Sequence, residues 1–317
     1  MGGSGTESLL LTLNRPRYMK LRKLTLVFVF LLTFSSGLKW TRTFGQTPTA
    51  EPFKQAEELL YEAEFSRSLL RNIDIADFRF TVNTIPAVGN AKTAESTSAP
   101  DPPSYSLLLT GDVSSKGFFT KLFNLRFRQH VESTVEPQSF TVQKTKRLDE
   151  QGKRLRTSET TYDPTTGRIV WTELDPNNPT RPPRTTSSQF SGQVQDVLSV
   201  FYYLRTLPLA VGRIFEVSIT DSGRVYPVPV EVVEKKRMKI VLGNVDTVRI
   251  DPKLFGPKGM INFEGQMSIW VTDDNRHLPV SARIKNEYGT FDIRLKKVTQ
   301  TPRSELLTKQ DSQHKTP

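Results

Sequence analysis

Between Gln195 and Leu209 the chain reads QDVLSVFYYLRTLPL, a stretch that is apolar almost all the way round a helix. Val194, Val197, Leu198, Phe201 and Leu204 cover one broad face of a helix predicted over Val194–Arg205, and Val200 and Tyr203 fill the other. A helix without a clean polar face is enclosed, not laid on a surface. The rest of the chain is patterned as strands, so the enclosure has to be built of β-sheet.

Period-two alternation carries that strand reading. Tyr61, Ala63 and Phe65 alternate with Glu62, Glu64 and Ser66; Phe78, Phe80 and Val82 follow, then Tyr105, Leu107 and Leu109. Past the helix, Phe215, Val217 and Ile219 run to a hairpin signal at Asp221-Ser222-Gly223. Further strand patterns continue to Val298. Residues Lys153 to Thr161 are polar but β-prone and predict an exposed or edge strand. Gly117 to Phe123 reads as one helical turn. Residues 87–104 and Asp175 to Pro183 are rich in Pro and polar residues and read as irregular excursions. The expected fold is mainly β: one large curved antiparallel sheet, a half-barrel, around one enclosed apolar helix. A β-sandwich is the alternative. Open sheets of this size tend to curl.

The N-terminus reads as an export signal. Arg15, Arg17, Lys20, Arg22 and Lys23 precede the apolar run Leu24–Phe34, and small residues follow. The run is short of the ~20 residues that span a bilayer. Cleavage after Gly37 or after Gly45 fits; an uncleaved inner-membrane anchor over residues 24–38 is the alternative. Met19 opens a stretch that is a complete signal by itself, so Met1 and Met19 both stand as starts. The domain reading is 1–45 lead and signal, 46–57 linker, 58–300 β-rich domain and 301–317 disordered tail.

Charge and cysteine narrow the function. The net charge of +11 includes +6 in the first 45 residues, leaving about +5 for the remainder. Dispersed charge on an exported chain argues against nucleic acid as partner. With no cysteine there is no disulfide, thiolate site or lipidated cysteine. Candidate chemistry is sparse. His130, His277 and His314 stand apart and read as solvent-exposed. Asp273 and Asp274 read as a turn, since a lone acidic pair lacks the oxygens of a calcium site. Ser199 has no nucleophile elbow around it, and Glu62 and Glu64 read as a solvated strand face. No metal, cofactor or catalytic residue is expected, and the chain reads as a non-enzyme.

The remaining clue is aromatic. Phe118, Phe119, Phe123, Val197, Phe201, Tyr202, Leu204 and Trp270 form the candidate lining of an apolar cleft for a lipid or acyl chain. Asp196 is the candidate helix cap, with Ser191 or Gly192 as alternatives. Arg205 suits the opposite pole and a buried carboxylate partner. Expected partners are a lipid or acyl chain, or another envelope protein. Membrane contact is expected only through the N-terminal segment, if uncleaved. A purely structural envelope module and an envelope hydrolase are the alternatives; the hydrolase requires His130, Asp196 and Asp273 to converge.

Several stretches also match a known group. QDVLSVFYYLRTLPL, the following Val211-Gly212, Ile269-Trp270-Val271-Thr272-Asp273-Asp274 with Leu278-Pro279-Val280, the opening YEAEF and the segment GFFTKLF–LRFRQHVE resemble the bacterial domain of unknown function 3108 family. The resemblance spans about Leu60 to Val298. It implies an exported envelope protein with a signal peptide, and it supplies no catalytic residues. The excursions at 87–104 and 175–183 depart from the family pattern. The expected architecture is also similar to the carriers of the outer-membrane lipoprotein sorting pathway, whose half-barrels shelter acyl chains; fold alone does not fix function.

Overall fold

The computed structural model describes residues 56–87, 105–117, 120–121 and 126–300. The expected signal over 1–45, residues 46–55, Phe118, Phe119, Phe123, most of the 87–104 stretch, His314 and the expected tail over 301–317 lie outside the described residues. The first wing of strands is β1 (Glu57–Arg67), β2 (Leu70–Pro86), β3 (Tyr105–Ser115), β4 (Phe127–Glu136), β5 (Thr141–Gln151), β6 (Arg154–Asp163), β7 (Arg168–Leu174) and β8 (Arg184–Gln189). A crossing segment follows, with β9 (Gln195–Asp196), α1 (Ser199–Tyr203) and a 3₁₀ turn over Leu204–Thr206. The second wing is β10 (Ile214–Asp221), β11 (Arg224–Ile240), β12 (Gly243–Pro252), β13 (Gly265–Thr272), β14 (Pro279–Asn286) and β15 (Gly289–Gln300).

All fifteen strands form one sheet in the order β8-β7-β6-β5-β4-β3-β2-β1-β15-β14-β13-β12-β11-β10-β9. Every pair is antiparallel except β9 with β10. The first and last strands meet in the middle, Glu57 opposite Gln300 and Ser66 opposite Thr290. Each wing is therefore a meander outward from this seam, and hairpins keep sequential strands adjacent.

Alternation sets which face is buried. In β1, Leu59, Tyr61, Ala63 and Phe65 are buried while Glu58, Glu62 and Glu64 face outward. Burying such a side chain contributes about 1.5–3 kcal/mol. One cluster joins Val82, Leu107, Leu109, Val131 and Val135 of the first wing to Val194, Leu198 and Tyr202. The other joins Val217, Val228, Val230, Val248, Ile250 and Val271 of the second wing to Leu204 and Leu209. The crossing segment thus fills the concave side, as an enclosed helix should. Gly111 makes room for it: a Cβ there would stand 3.1 Å from Leu198 Cδ1.

The two ends of the sheet curl toward each other without forming a ladder. Ser188 Oγ of β8 donates to Gly223 O in the β10–β11 turn at 2.7 Å. Gly223 has φ +77°, and a Cβ on it would meet Thr186 O at 2.7 Å. Only glycine satisfies both the left-handed turn and this close approach.

Two sequence expectations need correction. The helix occupies Ser199–Tyr203 and not Val194–Arg205. Gln195 and Asp196 are instead extended, paired with Ile219 and Thr220, and the extended residue before Pro208 ends the helical stretch. The strand expected at the edge, β6, is internal, paired to both β5 and β7. Its polar residues Thr160 and Tyr162 point inward and are buried. The edge falls to β8, a polar strand (RTTSSQ) without the apolar alternation that would reveal it.

Candidate functional site

The crossing segment is held at each end by one buried charged side chain. Asp196 stands at its head. Its Oδ1 accepts from the backbone N–H of Leu198 at 2.9 Å and of Ser199 at 2.6 Å. In return Ser199 Oγ accepts from the Asp196 N–H at 2.9 Å. This reciprocal arrangement satisfies orphan donors at the start of α1. The other carboxylate oxygen, Oδ2, accepts from Ser133 Oγ of β4 at 2.5 Å and from the Thr145 hydroxyl of β5. One carboxylate therefore binds the helix to the sheet.

Arg205 stands at the exit. Its Nη1 and Nη2 donate to Glu57 Oε1 and Oε2 at 2.6 and 3.1 Å, a forked pair with side chains 0% and 1% exposed. Nε donates to Arg276 O at 3.1 Å, and the guanidinium lies 5.8 Å from the Tyr202 ring centroid. His277 Nδ1 bonds the Arg205 carbonyl at 2.9 Å. These contacts tie the helix exit to β1 and to the β13–β14 turn. Burial, then the neighbouring Glu57 charge, pushes the Tyr202 hydroxyl far above its ordinary value.

A polar seam lies beyond Asp196. Arg147 Nη2 donates to Asp221 Oδ1 at 3.0 Å, joining β5 to β10. Tyr162 OH pairs with Thr145 Oγ1 at 3.2 Å and Thr220 Oγ1 at 2.9 Å, joining β6 to β10. Burial opposes the charge on Arg147, yet Asp221 and Asp196 hold its pKa above the usual value. Burial and the Asp196 charge drive the Tyr162 hydroxyl upward. These groups and Trp171 line a cavity of about 10 Å³, room for about one water. The seam closes the sheet through side chains where the backbone ladder stays open.

The apolar candidates divide. Tyr202 and Leu204 are 0% and 6% exposed and belong to the packed core. Phe201 and Val197 are partly buried, and Phe201 stacks on Phe80 with ring centroids 4.7 Å apart. Val200, Tyr203 and Leu207 are partly buried too, Val200 and Leu207 with Val197 against the second wing and Tyr203 against both clusters. Together these residues form an apolar rim on the crossing segment. Trp270 stands apart: Ile269 and Val271 join the core, so the alternation of β13 places Trp270 on the opposite face, across from Arg249 and Ser281. It does not line the interior.

The groups considered for catalysis do not meet. His130 Nδ1 bonds Asp112 Oδ1 at 2.8 Å and its Nε2 bonds Glu132 Oε1 at 3.3 Å. It is therefore partnered, not simply solvated. Burial lowers its pKa, but the two carboxylates outweigh that and raise it. Asp273 Oδ2 holds Lys235 Nζ at 2.6 Å. Asp274 accepts from Thr272 Oγ1 and from Arg276 in the turn. Glu62 binds Lys116 and Lys296, and Glu64 binds Arg294. Ser199 is fully buried against Asp196. Among the described residues no group of three or more His, Asp or Glu is arranged to hold a metal ion.

Sequence reasoning missed Glu57, Arg147, Tyr162 and Asp221. One signal was available: Glu57 lies in phase with Leu59, Tyr61, Ala63 and Phe65, so strict alternation points it inward. Arg205, embedded in the oily stretch, was the matching cation.

Comparison with solved structures finds low identity. A β-barrel-like protein of domain of unknown function DUF1849 from Brucella abortus is 10% identical, covering 77% of this chain and 97% of that chain, with a TM-score of 0.45. A candidate exported protein with a YmcC-like fold from Bacteroides fragilis is 7% identical over 78% of this chain and 98% of its own, with a TM-score of 0.28. A candidate lipoprotein from Parabacteroides distasonis is 7% identical over 78% and 96%, with a TM-score of 0.27. No curated protein matches the chain. The family described as "Protein of unknown function (DUF3108)" matches residues 77–296, from β2 to β15 and through the whole crossing segment. On that match the chain belongs to the DUF3108 family.

Proposed function

We propose that this protein is an exported envelope protein that works by binding and not by bond-making, with an apolar or lipid-like ligand held against the rim of the crossing segment. The observation that supports this reading is the rim itself. Phe201 beside Phe80, and Val197, Val200, Tyr203 and Leu207 along the second wing, stay partly open, although Leu198, Tyr202 and Leu204 on the same segment are sealed. Covering such side chains gains ~25 cal/mol per Å² before association costs. The buried polar groups Asp196, Arg205 and Ser199 are occupied in holding the segment. Export rests on the basic cluster and apolar run at the N-terminus; the periplasm is the assigned compartment, and anchorage by residues 24–38 is the alternative.

The test is native mass spectrometry of the full chain purified gently from an envelope fraction. A co-purifying lipid or acyl species is expected, with its occupancy lowered in Phe201→Asp. Protein that emerges ligand-free, and stays so after incubation with phospholipid or fatty acid, overturns the reading. A scaffold for an envelope component is the second reading, favoured by the open ladder at β8; a stoichiometric protein partner cross-linked at β8 in place of lipid would establish it.

A further inference from the structure

The hairpin of β11 and β12 outgrows the sheet. Backbone bonds from β10 and the residues just before it reach β11 only as far as Val232, and those from β13 and Asp273 after it reach β12 only from Asp246 onward. From Lys236 to Asp246 the two strands pair with each other, Lys236 opposite Thr247 and Ile240 opposite Gly243. The result is a two-stranded arm beyond the sheet margin.

Its composition is unlike the other turns. Val241 and Leu242 at the tip are 55% and 42% exposed. Met238 faces Val245 across the arm, and period-two alternation sets Ile240 on the same side as Met238. Lys235, Lys236, Arg237 and Lys239 line its stem against one acidic residue, Asp246. Lys235 is held by Asp273, while Lys236, Arg237 and Lys239 make no ion pair among the described residues. At the arm's base Val211 and Ile214 are also exposed. An isolated apolar tip in water is unfavourable, and a cationic collar behind it is the pattern of an element that enters a bilayer interface. Apolar area and attraction to anionic headgroups add together there.

We propose that the β11–β12 arm docks the protein on an anionic phospholipid surface, with Val241 and Leu242 in the interface and the stem cations against the headgroups. This is independent of any ligand at the rim of the crossing segment. It also adds a membrane contact away from the N-terminus, where sequence reasoning confined it.

The absence of cysteine from the chain permits a local readout. An environment-sensitive fluorophore is placed on Leu242→Cys of the full chain and, as control, on Leu174→Cys. Leu174 is 48% exposed at the end of β7, on the opposite margin of the sheet by strand direction. Vesicles of phosphatidylglycerol with phosphatidylethanolamine are expected to shift the emission at position 242 to the blue and leave position 174 unchanged. Phosphatidylcholine vesicles are expected to give a much weaker shift. Lys236→Glu/Arg237→Glu/Lys239→Glu is expected to weaken the response on the order of a hundredfold in vesicle concentration, while the thermal midpoint stays near wild type. Should that variant misfold, reversal of the wild-type shift by salt serves the same purpose. No shift at 242, an equal shift at both positions, or a shift that survives both charge reversal and salt overturns the proposal. So does a shift that depends on protein concentration and not on vesicles, which would make the tip a contact between copies.

Discussion

The two ends of the crossing segment solve the same problem with different chemistry. At the head, the buried Asp196 carboxyl has no cation in direct contact and is held by two backbone N–H groups and two hydroxyls. At the exit, Arg205 is buried against a full counter-charge, Glu57, in a forked pair. Four neutral dipoles share the carboxylate, and losing it leaves those small groups to find other partners, while Arg147, the nearby cation, keeps its direct partner Asp221. An ion pair is less forgiving, because removing one member strands the other charge in the core. The exit should therefore be the more fragile end.

The largest expected effect follows. Arg205→Ala should destabilise by about 3–5 kcal/mol, since Glu57 is left buried and unpaired, and urea denaturation followed by tryptophan fluorescence measures it. The double variant Glu57→Leu/Arg205→Met should recover most of that loss, because similar apolar volume replaces both charges. If the double variant is as unstable as the single one, the pair does more than neutralise itself and the argument about the exit is wrong.

Asp196→Ala should cost less, about 2 kcal/mol, from the lost cap and two hydroxyl bonds. Asp196→Asn should cost less still, as its amide can serve both the helix N–H groups and the hydroxyls after rotation. Equal losses for Asp196→Ala and Arg205→Ala in the same urea series would erase the distinction between the two ends.

The smallest effect lies outside the core. His130 bridges Asp112 and Glu132 with a pKa raised above the ordinary 6.5. A raised folded-state pKa favours the protonated native form. The stabilisation is fully present below 6.5 and is lost as pH rises through the higher folded value. His130→Asn should remove this slope from the urea midpoint between mildly acidic and mildly alkaline pH, and added salt should shrink it. A wild-type slope that persists unchanged in His130→Asn would assign the effect to other groups.

The contrast between ends also explains what was legible beforehand. Tyr61, Ala63 and Phe65 announced an inward face because burial of apolar groups requires only period and polarity. The oily stretch announced enclosure for the same reason. The extent of α1 did not follow, since Gln195 and Asp196 are claimed by β10, a partner more than twenty residues away. Nor did β6 as an internal strand, because Tyr162 is acceptable inside only where hydroxyl partners wait across the seam. Trp270 went astray for a related reason: aromatic character marks burial but not the side of the sheet, which the register of β13 decides.

Local sequence, then, determined that strands with one apolar face would curve around an enclosed segment, because hydrophobic period and turn chemistry act over a few residues. It also held the pattern by which the family is recognised. Tertiary structure alone decided which charges are paired, where the crossing segment turns helical, and that a cationic hairpin stands clear of the sheet. Those outcomes depend on contacts between residues as far apart as Glu57 and Arg205, and on where neighbouring strands stop, which no local pattern contains.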